Sequence, residues 1–192
     1  EACAEAGIEM VILDRPNPLG GERIEGPRLH PDYRSFVSQW DVPYAYGLTC
    51  GELGRMINGE RWIAKPCRLT VVPMQGWERW MTWADTGLPW MATSPNVPHA
   101  DSPLHKAATG ILGEFIGNSG LSIGGKFNRP FACVLARWLN ATRLSRQMNQ
   151  YGLQGIQFAP LTLTHDNQKW QGVELRITDR ARAPLVAVNF YL

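Results

Sequence analysis

Asp14, Arg15 and Glu52 are the side chains of this chain whose types and settings could do acid–base or anion-binding chemistry. Two carboxylates can divide the roles of general acid and general base when their surroundings differ, and a guanidinium pairs through its planar fork with a carboxylate. Asp14 and Arg15 open the segment Asp14-Arg15-Pro16-Asn17-Pro18. Its two prolines fix their own φ and push Arg15 and Asn17 out of the helical region. Asp14, Arg15 and Asn17 are therefore expected on a stiff extended loop, with a solvated turn as the plainer alternative. Glu52 closes Thr49-Cys50-Gly51-Glu52, the spacing of a capping box. There the Thr49 hydroxyl accepts from the backbone three residues on and the Glu52 carboxylate accepts from the Thr49 amide. Helix stabilisation explains both residues, and a catalytic or ligand-binding carboxylate is the competing role.

The elements that must position these groups follow from the hydrophobic pattern. Met10-Val11-Ile12-Leu13 is a β-branched-rich run without polar alternation, as expected of a parallel strand buried on both faces. In open α/β sheets ligands bind beyond the carboxyl ends of such strands, where Asp14 and Arg15 stand. A long loop over 14–48 precedes a helix predicted over Thr49–Trp62, and Leu69–Met74 reads as an edge strand or strand end because of Pro73. Residues 76–103 hold four of the eight tryptophans. Trp77, Trp80 and Trp83 follow at spacing three, which reads as a packing stripe on one helical turn or a cation–π arrangement with Arg79, with a platform for the C–H face of a sugar ring as the competing role. Trp90 is the better candidate for lining a cleft.

The proline-rich loop Ser94-Pro95-Asn96-Val97-Pro98 marks the expected division into two parts, 1–98 and 99–192. Beyond it the pattern predicts a helix over Leu104–Phe115, a glycine-rich loop over Asn118–Lys126 and a long helix over Phe131–Tyr151. Strands over Ile156–Leu163 and Val173–Thr178 and a last helix over Pro184–Leu192 follow. Glu1–Gly7 reads as the end of a helix with a glycine stop. With the uncapped apolar run at the other end, this gives the expectation of truncation at both ends.

Composition narrows the function classes. Nineteen Lys and Arg against seventeen Asp and Glu give a net charge of +2, too small and dispersed for a phosphate-backbone binder, so nucleic acid is not an expected partner. Cys3, Cys50, Cys67 and Cys133 are scattered without a C-x-x-C, and His99, Asp101 and His105 match no common metal spacing. No metal and no cofactor is expected. No apolar run is long enough for a membrane span. Gly120–Gly124 matches G-x-S-x-G and Gly120–Lys126 matches G-x-x-x-x-G-K. Neither fits its context: a nucleophile elbow around Ser122 needs a strand before and a helix after it, and a phosphate loop needs Ser or Thr where Phe127 stands.

Taken in order, V-I-L-D-R-P-N-P-L-G-G, I-E-G-P at 24–27, Y-G-L-T-C-G-E-L at 46–53, L-P-W at 88–90 and S-P-N-V-P at 94–98 resemble one family, the exo-β-N-acetylmuramidases (NamZ), long catalogued as a domain of unknown function. The resemblance implies an α/β fold: the carboxyl-terminal part of a Rossmann-like domain over 1–98, then a smaller α+β domain over 99–192, with the active cleft between them. It implies a glycosidase that removes N-acetylmuramic acid from the non-reducing end of peptidoglycan fragments, hence a peptidoglycan-derived saccharide as partner and an extracytoplasmic location. Asp14 and Glu52 would be the catalytic carboxylates. Arg15, Asn17, Glu25, Tyr46, Thr49, Trp90 and Asn96 would bind substrate, with Arg15 suited to the lactyl carboxylate of muramic acid.

Three departures accompany the resemblance. No Glu-His-Gly occurs, a family motif that lies upstream of the first strand and carries an acid. Tyr46 stands where the family has His. Ser122-Ile123-Gly124-Gly125-Lys126-Phe127 lacks the carboxylate and arginine of the family's S-E-G-R-G-T, for which Glu114 is the candidate substitute, with a surface helical Glu as the plainer alternative. The competing function is a non-catalytic carbohydrate- or peptidoglycan-binding domain.

Overall fold

A computed structural model describes residues 1–192, which form two compact units, Glu1–Pro89 and Trp90–Leu192. The chain mixes helices and strands in both.

In the first unit, helix α1 (Ala2–Ala6) ends on Gly7, whose left-handed φ of 69° returns its amide to the Cys3 and Ala4 carbonyls. This is the glycine stop the sequence predicts. Strand β1 (Met10–Leu13) pairs in parallel with β4 (Leu69–Val72), Met10 facing Leu69 and Leu13 facing Val72. Between them, β2 (Ile24–Arg28) and β3 (Pro43–Tyr46) form an antiparallel ribbon with an irregular register between Glu25 and Arg28. Helix α2 (Cys50–Gly59) follows.

The parallel pairing of β1 is as expected, but its burial on both faces is not. The β1–β4 sheet has only two strands, and α2 lies against one face, bringing Gly54 close to Ile12 and Gly51 close to Val71. Ile12 and Val71 are partly buried there, whereas Val11, Leu13 and Val72 on the alternate positions are 52%, 71% and 45% exposed. The period-2 geometry of a strand thus separates a covered face from an open one, even where the sequence is apolar throughout.

The second unit has the denser core. A three-stranded antiparallel sheet runs in the order β5 (Cys133–Ala136), β7 (Gln168–Ile177), β6 (Ile156–His165). Helix α5 (Ala141–Gln150) packs on β6 and β7, burying Met148, while α3 (Ser102–Thr109) packs on α6 (Leu185–Tyr191). Asn189 of α6, buried, donates to the Ala107 carbonyl and accepts from the Ile111 amide, so its polar atoms are satisfied inside that contact. A short helix, α4 (Ile116–Ser119), and a 3₁₀ turn over Gly125–Phe127 lead into β5.

The continuous helix expected over Phe131–Tyr151 is replaced by a strand, a turn and a helix. Cys133–Ala136 are all buried and are paired with β7, and Asn140 then caps α5 by accepting from the Arg143 amide. Residues 77–83 likewise form no helix: the only helical stretch there is a 3₁₀ turn over Ala84–Thr86. No helix is long and apolar enough to cross a membrane.

Candidate functional site

The first unit gathers its chemistry where β1 ends. Asp14 leaves the strand with its amide still bonded to the Val72 carbonyl, 3.1 Å. Its carboxylate turns toward the start of α2: Oδ1 accepts from the Gly51 amide at 2.8 Å and from the Arg15 amide at 3.0 Å, and Oδ2 accepts from the Thr49 hydroxyl at 2.6 Å. A carboxylate at a helix amino terminus satisfies open backbone donors and complements the helix dipole. Thr49 is 1% exposed, and the capping box predicted around it is complete: its Oγ1 accepts from the Glu52 amide at 3.1 Å, and Glu52 Oε2 accepts from the Thr49 amide at 2.9 Å. The other Glu52 oxygen takes the Arg79 guanidinium at 2.5 Å. Arg79 also donates to the carbonyls of Gly21 and Gly47, at 2.8 and 2.7 Å. It therefore ties the Gly21 and Gly47 carbonyls to Glu52, a role separate from the cation–π alternative that the tryptophan spacing offers.

Asn17 holds the loop's shape. Its side-chain amide donates to the Leu48 carbonyl at 2.9 Å and its Oδ1 accepts from the Leu19 amide at 2.9 Å, an Asx turn that pins the proline segment beside α2. Tyr46, at the end of β3, has its phenol pushed up in pKa by burial first and by neighbouring Cys50 second. Glu25 on β2 is ion-paired with Arg23.

A cavity of about 340 Å³ opens beside this cluster, lined among others by Asp14, Arg15, Trp77, Met81, Trp83 and Asp85. The Arg15 guanidinium lies over the Trp83 ring, 6.0 Å from its centroid. Trp83 is 7% exposed and donates its indole N–H to the Leu88 carbonyl. The Trp77 indole N–H is buried without a hydrogen-bond partner. Asp85 Oδ2 accepts from the Thr82 amide and hydroxyl, at 2.8 and 2.7 Å. Of the predicted residues, Asp14 and Arg15 line this cavity, whereas Asn17, Thr49 and Glu52 do not. Trp77 and Trp83, singled out by their spacing, both line the cavity, whereas Trp80 does not; Met81 and Asp85 carry no signal in the sequence.

The remaining candidates lie in the second unit. Trp90 donates its indole N–H to the Val97 carbonyl at 3.3 Å, closing the proline loop, and exposed Asn96 donates its amide to Ser94 Oγ at 3.2 Å within it. Glu114 is exposed on the 3₁₀ turn after α3. Ser122 is buried and bridges Leu135 through the backbone of both residues, so no nucleophile elbow forms. No three His, Cys, Asp or Glu side chains converge as a metal ion would need.

Comparison with known proteins gives the family of the chain. The amino-terminal region of exo-β-N-acetylmuramidase NamZ matches residues 1–101 and its carboxyl-terminal region residues 108–192. The peptidoglycan β-N-acetylmuramidase NamZ of Bacillus subtilis (strain 168) is 39% identical over 185 residues, covering 94% of this chain and 43% of that protein. A crystal structure of a DUF1343 family protein from Bacteroides fragilis superposes with a TM-score of 0.93 at 44% identity, over 99% of this chain and 50% of that one. A second DUF1343 protein from the same organism gives a TM-score of 0.67 at 25% identity, over 90% and 45%. The chain thus spans about half the length of these relatives. By both its halves and nearly its whole length, the chain belongs to the exo-β-N-acetylmuramidase NamZ family.

Proposed function

We propose that this chain supplies the saccharide-recognising part of a glycoside hydrolase that releases N-acetylmuramic acid from the non-reducing end of peptidoglycan fragments, working outside the cytoplasmic membrane. Family membership supports the reaction class. The observation that carries the substrate is Arg15, whose guanidinium rests on Trp83 at the cavity wall and forms no ion pair. An indole beside a sugar-sized cavity offers an apolar face to a pyranose ring, and a guanidinium without a carboxylate partner receives the lactyl carboxylate that separates muramic acid from glucosamine.

Hydrolysis needs one carboxyl group to protonate the leaving oxygen and usually a second as base or nucleophile. Asp14 is the wall carboxylate nearest Arg15 in the chain, and Asp85 joins it on the cavity lining. Glu52 acts one step back, through Thr49 and Arg79. Because Asp14 and Glu52 are both engaged in capping, a binding module without catalysis is the second reading.

Release of N-acetylmuramic acid from a chromogenic β-muramide, by this chain and by the same chain within a protein of the relatives' full length, tests the proposal. Hydrolysis lost in Asp14→Asn or Asp85→Asn, and an Arg15→Ala variant that loses the muramide far more than the matching glucosaminide, support it. Equal loss of both substrates in Arg15→Ala removes the lactyl role. Muramic acid binding without hydrolysis in either length selects the binding module.

A further inference from the structure

On the second unit, two cations from separate elements meet on one indole. Lys126 sits in the 3₁₀ turn before β5, and Arg137 directly follows the last residue of β5. Lys126 Nζ lies 3.1 Å from the centroid of the Trp170 ring, and Arg137 Cζ lies 5.8 Å from the same centroid. Trp170, on the central strand β7, is 9% exposed and packs edge-on against Phe127.

The turn that delivers Lys126 is tightly determined. Gly124 has a φ of 88°, and a Cβ there would stand 2.0 Å from the Arg129 carbonyl oxygen. Ser122 and Leu135 exchange both backbone hydrogen bonds, at 2.8 and 2.9 Å. Arg137 is steadied by donating to Gln168 Oε1, a neutral acceptor, at 2.8 Å.

Neither cation is neutralised. Lys126 and Arg137 form no salt bridge; the neighbouring acid, Asp166, faces solvent with its Oδ2 2.9 Å from His165 Nδ1. Desolvation lowers the Lys126 pKa first and the like charge of Arg137 adds to it, against the opposing pull of Asp166. A fold that brings two such groups onto one apolar ring carries an electrostatic cost that a bound anion removes.

We infer that Lys126 and Arg137, both held against the Trp170 ring, form a second binding site, separate in the chain from the Arg15 cavity, for an oxyanion group, a carboxylate or a phosphate, on a small ligand. The charge-assisted pairing of ammonium and guanidinium with one oxyanion supplies the affinity, and the indole narrows the positions that the two exposed donors take. This inference is independent of the hydrolase reading.

Acetylation tests it, because it reads each of the four lysines, Lys65, Lys106, Lys126 and Lys169, separately by peptide mass spectrometry. The protein is treated with limiting acetic anhydride alone and with lactate, inorganic phosphate, N-acetylmuramic acid or N-acetylglucosamine. A bound oxyanion at ten times its Kd slows acetylation of Lys126 about tenfold and leaves Lys65 and Lys106 unchanged. Protection by phosphate but not lactate names a phosphate ligand. Protection by lactate or N-acetylmuramic acid, with none by N-acetylglucosamine, names a carboxylate, and a stronger effect of the sugar says that it arrives on a saccharide. Arg137→Gln abolishes the protection. Protection by none of the anions, equal slowing at Lys65 and Lys106, or protection that survives in Arg137→Gln overturns the inference.

Discussion

The Oδ1 oxygen of Asp14 and the amide nitrogen of Gly51 are 2.8 Å apart, a contact that the missing side chain of Gly51 permits. A Cβ on Gly51 would stand 2.7 Å from the Asp14 carboxyl carbon and 2.5 Å from Val71 Cγ1. The site carboxylate and the amino terminus of α2 therefore share a space that one methyl group would fill.

Gly51→Ala is expected to displace Asp14 and open the α2–β4 contact, a small-to-large change worth about 1–3 kcal/mol of stability. Urea unfolding at neutral pH measures it. An unchanged midpoint would show that the helix start shifts freely, and the close packing would then have no energetic weight.

Thr49→Val keeps the volume of a side chain that is 1% exposed and removes the hydroxyl that donates to Asp14 and accepts from the Glu52 amide. Both partners are left short of a hydrogen bond, at a cost of about 1–3 kcal/mol. Thr49→Ser, which keeps the hydroxyl, should recover most of the loss. Similar unfolding midpoints for the two variants would contradict the cap.

His105 of α3 is held neutral by burial, which lowers its pKa from 6.5 against the opposing hydrogen bond with the Leu175 carbonyl, 3.3 Å away, and the charge of Asp101. The unfolded chain binds the proton more readily, so this contribution is fully present above pH 6.5 and is lost as pH falls through the lowered folded pKa. Thermal unfolding followed from pH 7.5 downward should show the loss, and His105→Gln should flatten that part of the profile. A wild-type profile that is already flat below pH 6.5 would count against a neutral buried imidazole.

Cys133, with no exposed surface, has its thiol pushed up to about 12, by burial first, with Glu174 adding and Arg129 opposing. Its folded pKa lies above the unfolded value of 9.0, so the stability it contributes is present below pH 9 and is lost as pH rises toward 12. A thiol-specific disulfide reagent at pH 8 should label exposed Cys50 readily and leave Cys133 unreacted until denaturant is added. Labelling of Cys133 in the native protein at a rate like that of Cys50 would refute this.

What the sequence reveals depends on how far apart the cooperating residues are. Thr49 and Glu52 lie within one helical turn, and Ala2–Ala6 meets its glycine stop at once, so both are legible. Cys133–Ala136 reads as helix because a short apolar run has no decisive period, although Asn140 was present to mark where the helix begins. Arg79 reaches Glu52 across 27 positions and the Gly21 carbonyl across 58, and no local pattern records such a partnership. The openness of one face of β1 is hidden for the same reason, since coverage depends on elements far along the chain. Asp14 and Arg15 are visible because two prolines fix their loop, and Trp83 because of its spacing from Trp77 and Trp80; Asp85 enters the cavity lining through tertiary contacts alone.

The join between β6 and β7 bears on how the second unit assembles. Asp166 and Asn167 both have positive φ, 51° and 56°, as a two-residue type I′ turn requires, and ten residue pairs extend from it, His165 with Gln168 through Ile156 with Ile177. Closing so short a loop sacrifices little chain entropy, so this ribbon can zip from its tip on a microsecond scale of about 1–10 μs. β5 arrives from more than thirty positions away in the chain to pair with Gln171–Glu174. It then meets a template whose alternation is already set, and the late, long-range step of folding becomes one of docking rather than of choosing a register.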